Sequence, residues 1–198
     1  MCPQSRNDSI QIVPPTDPPL SAEQRAMQCR LAGTNIHEKT FLATDYLNHF
    51  NEVIMLLEML PDMPEMLDEI ALWAPKSYTD HFRESGFKDG ALAIEAYECA
   101  PTVYRNAFDH HVAALNAVIL DTIAALGRDG GTSEAMHRIL EPRMAQAHAL
   151  LEMLSGIIHG STTTLDQSDV DRTFEAGEEA DDGDGRASDQ AAIDALFD

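Results

Sequence analysis

Apolar residues recur at helical spacing along most of residues 21–160, and no segment alternates apolar and polar residues as a strand does. The clearest stripe predicts one helix over residues 38–60, ended by Pro61, and consists of Leu42, Tyr46, Phe50, Val53, Leu57 and Leu60. The pattern as a whole predicts an all-α fold. We expect an antiparallel bundle of about four main helices over residues 21–160.

Capping residues, prolines and glycines divide this region into helices. Ser21 and Gln24 have the spacing of a capping box at the start of the first helix. Residues 33–35 (Gly-Thr-Asn) either interrupt that helix or lie inside a longer one. Further helices are predicted over residues 65–74, 91–99, 101–126 and about 133–160. In the last of these, Pro142 either kinks the helix or marks its true first turn.

Both ends of the chain differ in composition from the bundle region. Residues 1–20 are polar and rich in proline, which predicts a disordered arm. Residues 161–187 are dominated by acids and punctuated by glycine, which predicts a disordered linker. In residues 188–198, Ile193, Leu196 and Phe197 share one face of a short helix. Such a helix is too short to be stable alone, so we expect it to fold on a partner.

Charge and cysteine content narrow the possible partners and compartment. The 198 residues have 44% hydrophobic residues and a formal net charge of -21, so nucleic acids and anionic membrane surfaces would repel the chain. No run of about 18 apolar residues is present, which predicts no membrane insertion. Cys2, Cys29 and Cys99 are widely spaced and form no Cys-x-x-Cys pair, so neither a zinc site nor a disulfide framework is expected. These features together predict a cytoplasmic protein.

The C-terminal peptide carries a recognisable motif. Residues 189–197 read DQAAIDALF, which resembles the SQAEIDALL peptide by which the flagellar switch protein FliM binds the phosphorylated regulator CheY. A helical bundle, a flexible linker and a terminal peptide of this kind are also the layout of the CheZ family of chemotaxis phosphatases, which this chain resembles. The resemblance implies a CheY-type response regulator as partner, with the flagellar switch as an alternative, and a homodimer. It assigns binding to Gln190, Ile193, Asp194, Leu196 and Phe197.

The same resemblance implies an acid and an amide that act together on the regulator's aspartyl phosphate. The amide orients the attacking water, the acid contacts the regulator's active-site lysine, and the regulator supplies Mg²⁺, so the chain needs no cofactor of its own. The Asp-x-x-x-Gln pattern of CheZ is absent from this sequence. The nearest match is the Glu-x-x-Asn pattern of other regulator phosphatases, which predicts Asp45 and Asn48 as the catalytic pair. On a helical wheel these two residues and Glu52 form one stripe away from the core, with His49 at the core's edge.

Other interpretations of the polar residues remain open. Asp45, Asn48 and Glu52 are also ordinary residues for a solvated helix face, and Gln146 is a second candidate amide. Three histidine patterns suggest other chemistry: a single Glu134-x-x-His137, the adjacent pair His110-His111, and a loose phosphoacceptor pattern at His37. None completes a metal site, so no bound metal is predicted. A non-enzymatic adaptor and a histidine phosphotransfer bundle are the alternative functions.

Overall fold

The computed structural model describes residues 19–161, and these form helices joined by turns, without any β-strand. An isolated bridge between Ile36 and Ala43 is the one sheet-like pairing in this part of the chain. The helices are α1 (Ala22–Leu31), a 3-10 turn (Thr44–Leu47), α2 (Asn48–Met59), a second 3-10 turn (Pro64–Met66), α3 (Leu67–Ile70), α4 (Tyr78–Glu84), α5 (Gly90–Glu98), α6 (Thr102–Asp129) and α7 (Ser133–Ile158). The predicted all-α class is confirmed.

The predicted capping box at the start of α1 is present. The Ser21 hydroxyl accepts a hydrogen bond from the Gln24 backbone N–H at 3.1 Å, and the Gln24 side chain accepts one from the Ser21 N–H at 2.9 Å. The helix ends at Leu31, whose carbonyl accepts a hydrogen bond from the Thr34 hydroxyl at 2.7 Å. Gly33 has a φ of 77°, which an α-helix does not allow. The Gly-Thr-Asn segment therefore interrupts the helix.

The helix predicted over residues 38–60 is wrong in its first third. Residues 38–43 form a turn in which Phe41 has a φ of 64°, and α2 begins only at Asn48. The His37 N–H donates to the Leu42 carbonyl at 2.9 Å, which closes the turn. The hydroxyl of the buried Thr40 donates to the carbonyl of Ile158 at 2.7 Å. Apolar residues of this segment thus reach the core from a turn that distant contacts stabilise, and their helical spacing is coincidental.

Between residues 64 and 98, α5 agrees with the helix predicted over residues 91–99, whereas α4 was not predicted and the helix before it is shorter than predicted. The helix expected over residues 65–74 is a 3-10 turn followed by the single turn of α3, which ends at Ile70. Ser77 caps α4, accepting a hydrogen bond from the Asp80 N–H at 3.1 Å. Four aromatic side chains from this region pack in or against the core: Trp73, Tyr78, Phe82 and Phe87.

Two long helices, α6 and α7, pack against each other along the molecule. Their connection, residues 130–132, is so short that the helices must run antiparallel. At Gly130 a Cβ atom would lie 2.5 Å from the Leu126 carbonyl oxygen, so only glycine fits where α6 ends. The Thr132 hydroxyl caps α7 by accepting a hydrogen bond from the Ala135 N–H at 3.2 Å. Pro142 lies inside α7, which continues on both sides of it.

Helix α6 is the one helix of the described region that is long and apolar enough to cross a membrane. Its most apolar window has a mean hydropathy of 1.3, and 28% of that window is buried. Phe108, Leu115 and Ile119 of α6 are part of the core. Length and composition do not separate a membrane-spanning helix from a core helix, so the absence of membrane insertion stays a prediction.

The predicted segments at the two ends lie outside the described residues, apart from residues 19, 20 and 161. They are the arm over residues 1–20, the acidic linker over 161–187 and the docking helix over 188–198. The residues assigned to regulator binding in that helix also fall there: Gln190, Ile193, Asp194, Leu196 and Phe197.

Candidate functional site

An open cleft of about 450 Å³ lies where the start of α2 faces the segment that leads into and follows α4. Its lining residues are Asp45, Asn48, His49, Glu52, Lys76, His81, Glu84, Ser85 and Phe87. The predicted pair Asp45 and Asn48 is thus in one cleft, together with Glu52 of the same predicted stripe. The amide Gln146 is half-buried on α7 and does not line this cleft.

The local backbone brings Asp45 and Asn48 to the same side. Asp45 lies in the 3-10 turn, not in the continuous α-helix that the sequence predicted, and Asn48 is the first residue of α2. The Asn48 N–H donates a hydrogen bond to the Asp45 carbonyl, which is the three-residue closure of a 3-10 helix. Side chains three residues apart eclipse one another in that geometry. Asp45 is half-buried and Asn48 is exposed, so the pair is open to a partner.

Tertiary hydrogen bonds fix the 3-10 turn that contains Asp45 and leads directly into Asn48. The Tyr46 hydroxyl donates to the Lys76 carbonyl at 2.8 Å, and the Ala43 N–H donates to the Tyr78 hydroxyl oxygen at 2.9 Å. The Tyr46 ring also packs against the rings of Phe50, Tyr78, His81 and Phe108. The buried side of the 3-10 turn is therefore held in place by an aromatic cluster.

His49 forms the inner wall of the cleft and is only 8% exposed. Its ring stacks on Trp73 at 5.0 Å, and its Nε2 accepts a hydrogen bond from the Lys76 N–H at 3.2 Å. Burial, with smaller contributions from the nearby His81 and Lys76, lowers the pKa of His49 to about 4. His49 is therefore neutral at pH 7, with its proton on Nδ1 because Nε2 is an acceptor. We assign it a structural role.

The cleft is negative on balance. Lys76 is its one lysine or arginine, and it pairs with Glu84 at 2.8 Å, a hydrogen bond that raises the pKa of Lys76. The carboxylates of Asp45 and Glu52 face the same space. Burial lowers the pKa of His81, although a hydrogen bond with the Asp45 backbone partly opposes this shift, so His81 adds little positive charge at pH 7. A free phosphate is a poor ligand for such a cleft, whereas a partner that brings its own cations is a better one.

Acidification is expected to destabilise the fold between about pH 6.5 and pH 4. The pKa of His49 falls from 6.5 to about 4 on folding, so the unfolded chain binds one more proton over that interval. The stability that neutral His49 contributes above pH 6.5 is lost as the pH falls towards 4. Given 1.36 kcal/mol for each pKa unit, the loss is roughly 3 kcal/mol. Urea unfolding at a series of pH values measures it.

The variant His49→Gln isolates this titration, because the glutamine oxygen can still accept the Lys76 N–H. His81, whose pKa is also lowered, is retained in both proteins. Between about pH 4 and pH 6.5, the free energy of unfolding should depend less steeply on pH in the variant than in the native protein. The difference in slope should correspond to about one proton fewer taken up on unfolding. His137→Gln, at an exposed position of α7, is the matched control. Equal slopes in His49→Gln and the native protein would show that His49 does not titrate in this interval.

His37 does not lie at the start of a helix, as the phosphoacceptor pattern suggested. His37 lies in a turn and not on a helix, and its Nδ1 accepts a hydrogen bond from the Lys39 N–H at 3.4 Å. Its ring meets that of His159 edge-on at 5.9 Å, and burial lowers the pKa of His37. The phosphoacceptor-helix interpretation of His37 is therefore wrong in its geometry.

Metal-ligand candidates do not converge within the described residues. Over residues 19–161, no three or more His, Cys, Asp or Glu side chains are placed so that they could hold a metal ion. Glu134 and His137 are both exposed in the first turns of α7, and the rings of His110 and His111 lie edge-on at 5.4 Å. These residues contribute nothing to the cleft.

The far wall of the cleft was not predicted from the sequence. Lys76, His81 and Glu84 come from a segment for which the sequence predicted no helix and no site residue. No local spacing links them to Asp45 and Asn48. The one available signal was His49 at the edge of the core face, which indicated that a polar contact would lie beside it.

No protein-family model matches this chain, and comparisons with curated proteins and with solved structures found no similar protein. The features of this chain that bear on its function are the cleft, the charge distribution and the motif in residues 189–197.

Proposed function

We propose that this protein binds a phosphorylated CheY-type response regulator and promotes its dephosphorylation in the control of flagellar rotation. The terminal peptide captures the regulator through Gln190, Ile193, Asp194, Leu196 and Phe197. The observation that best supports the enzymatic part is that Asp45, in a 3-10 turn, and Asn48, the first residue of α2, lie three residues apart at the rim of an open cleft. The proposed reaction takes place in the cytoplasm, where such regulators act.

In the proposed reaction, Asn48 holds a water molecule in line with the phosphorus of the regulator's aspartyl phosphate. The water oxygen forms a bond to phosphorus, the bond from phosphorus to the aspartyl oxygen breaks, and the products are a free carboxylate and inorganic phosphate. The chain contributes mainly by positioning, because a phosphoryl transfer of this kind needs little covalent help. Mg²⁺ bound to the regulator supplies charge neutralisation.

The negative charge of the cleft suits this arrangement. Asp45 would pair with the lysine of the regulator's active site, as the family resemblance implies. Glu52 lies beside it in the same cleft and adds to the attraction for that lysine. A free phosphate ion would be repelled, so the protein would act on the phosphorylated regulator and not on small phosphate esters.

We also propose an arrangement for the whole chain. The helices would form an antiparallel bundle with about four main members, preceded by the arm that the sequence predicts to be disordered over residues 1–20. A disordered linker over residues 161–187 would span roughly 25–30 Å and hold the captured regulator near the bundle. Tethering of this kind gives an effective concentration on the order of millimolar. A homodimer would carry two such linkers, each with its terminal peptide.

An adaptor without catalytic activity is the second candidate. What favours it is the position of Asp45 on a 3-10 turn, since the pair in regulator phosphatases lies on a regular helix. Such an adaptor would bind the regulator or the flagellar switch through the same terminal peptide and leave the phosphate's lifetime unchanged.

Deleting residues 188–198 is expected to raise the regulator concentration needed for half-maximal phosphate release by at least about tenfold. The maximal rate should change little, because the peptide captures the regulator and the bundle acts on it. The measurement is inorganic phosphate release from a phosphorylated CheY-type regulator across a range of regulator concentrations.

A second variant exchanges Ile193 and Leu196 for serine in the full-length chain. It removes most of the apolar face of the peptide and keeps the charge and length of the chain. It should behave as the deletion does. Unchanged half-maximal concentrations in both variants would contradict capture by the peptide. Binding that depends on the peptide without any faster phosphate release would support the adaptor instead.

A further inference from the structure

The outward face of α2 carries apolar side chains where a solvated helix would have polar ones. The buried residues of α2 lie on its opposite side: His49, Phe50, Val53, Ile54 and Leu57. Met55 and Met59 are one turn apart on the face that points away from this buried side. They are 53% and 40% exposed. Single exposed apolar residues are common on proteins, whereas these two are neighbours and form a small apolar patch on the outward face of one helix.

A third exposed apolar residue lies close to this helix. Leu72 is 84% exposed, in the turn that follows α3. The next residue, Trp73, stacks on His49 of α2, so the turn is held against that helix. Methionine side chains are flexible and polarisable, which suits them to adaptable binding surfaces.

Acidic residues predominate in the chain segment that contains Met55 and Met59. No lysine or arginine occurs between Lys39 and Lys76, and the acids in that interval are Asp45, Glu52, Glu58, Asp62, Glu65, Asp68 and Glu69. Glu52 is on the same outward face, one turn from Met55. Glu58 is already paired with His148 at 2.7 Å. Met55 and Met59 therefore belong to an acidic segment, with Glu52 and Glu58 on the same helix.

The geometry and the charge together point to one class of occupant: we propose that the Met55–Met59 face of α2 is a docking surface for a basic amphipathic helix of another protein. Apolar side chains of that helix would cover the two methionines, and its lysines or arginines would lie against the surrounding carboxylates. This inference does not depend on the regulator proposal.

The same charges argue against the other occupants. A second copy of this face would set carboxylates against carboxylates. Residues 162–198 of this chain are also strongly acidic, with only Arg172 and Arg186 as cations. Anionic lipids and nucleic acids would be repelled for the same reason.

The test uses a fluorescent synthetic peptide with leucines at helical spacing and lysines at the remaining positions, titrated with the full-length protein and followed by anisotropy. A second peptide keeps the leucines and has glutamate in place of lysine. We expect the lysine peptide to bind at least about tenfold more tightly than the glutamate peptide. We also expect Met55→Ser with Met59→Ser to weaken the lysine peptide's binding by at least about tenfold.

Two control variants separate this face from general attraction to an acidic protein. Val103→Ser with Leu120→Ser removes exposed apolar residues from α6, which are 41% and 43% exposed, and should leave binding within about twofold. Met55→Leu with Met59→Leu keeps the face apolar and should bind as the native protein does. Equal binding of the lysine peptide by all variants, or equal binding of both peptides by the native protein, would overturn the proposal.

Discussion

Replacing Tyr46 with alanine is expected to lower the free energy of unfolding by about 4 kcal/mol. Tyr46 is 1% exposed and packs against four other rings, from Phe50, Tyr78, His81 and Phe108. Truncation would leave a cavity in the aromatic cluster and also remove the hydrogen bond to the Lys76 carbonyl. Chemical denaturation followed by circular dichroism measures the change.

Tyr46→Phe separates the ring from its hydroxyl. The phenylalanine ring still fills the cluster, while the Lys76 carbonyl loses its donor, so the expected loss is about 1 kcal/mol. A loss from the alanine variant no larger than that from the phenylalanine variant would contradict a central packing role for the ring. Because Tyr46 lies between Asp45 and Asn48 in sequence, Tyr46→Ala should also disorder the candidate catalytic turn.

The packing around Tyr46 shows what the sequence pattern can and cannot predict. The stripe that includes Leu42, Tyr46 and Phe50 was correctly predicted to be buried, because each of these side chains is at most 1% exposed. The predicted start of the helix was wrong. The spacing of apolar residues indicates which side chains are buried, but it does not determine the backbone conformation that buries them. Phe41, with its positive φ, reaches the core without any helix.

Long-range hydrogen bonds explain why the first part of that helix could not be predicted. The Thr40 hydroxyl bonds to Ile158, which is 118 residues away in the chain, and the Ala43 N–H bonds to Tyr78, which is 35 residues away. These contacts satisfy backbone and side-chain groups that a local reading of the sequence would assign to a helix. Tertiary structure therefore overrides the helical preference of residues 38–43.

The candidate site was predicted in part for a related reason. Asp45, Asn48 and Glu52 are close in sequence, so a helical wheel was sufficient to place them on one side, even though the first turn is a 3-10 turn. The wheel carries no information about what the stripe faces. Lys76 and Glu84, on the other wall, reach the cleft because Tyr46 and His49 hold residue 76 by its backbone.

The two proposed surfaces share one helix face. Asn48 and Glu52 occupy its N-terminal half, at the cleft, and Met55 and Met59 occupy its C-terminal half. The cleft attracts cations and the methionine face favours a basic partner, so both halves select for positive charge. A single partner with a basic surface could contact both, and variants of the two halves should be tested separately before they are combined.

Replacing Asn48 with alanine is expected to lower the maximal rate of phosphate release from the phosphorylated regulator by about a hundredfold. The amide that holds the attacking water would be lost, while the capturing peptide would remain intact. The half-maximal regulator concentration should therefore change little, which is the opposite of the expected effect of deleting residues 188–198. Phosphate release and peptide-dependent binding are measured on the same preparations.

Asn51→Ala is the matched control, because Asn51 is an exposed asparagine of α2 that does not line the cleft. Its rate should stay within about twofold of the native protein, since an exposed substitution away from the site has little effect. Equal losses in the two variants would mean that α2 as a whole had been disturbed. A native-like rate in Asn48→Ala would exclude this amide from the reaction. If the native protein itself did not accelerate phosphate release, the chain would act as an adaptor.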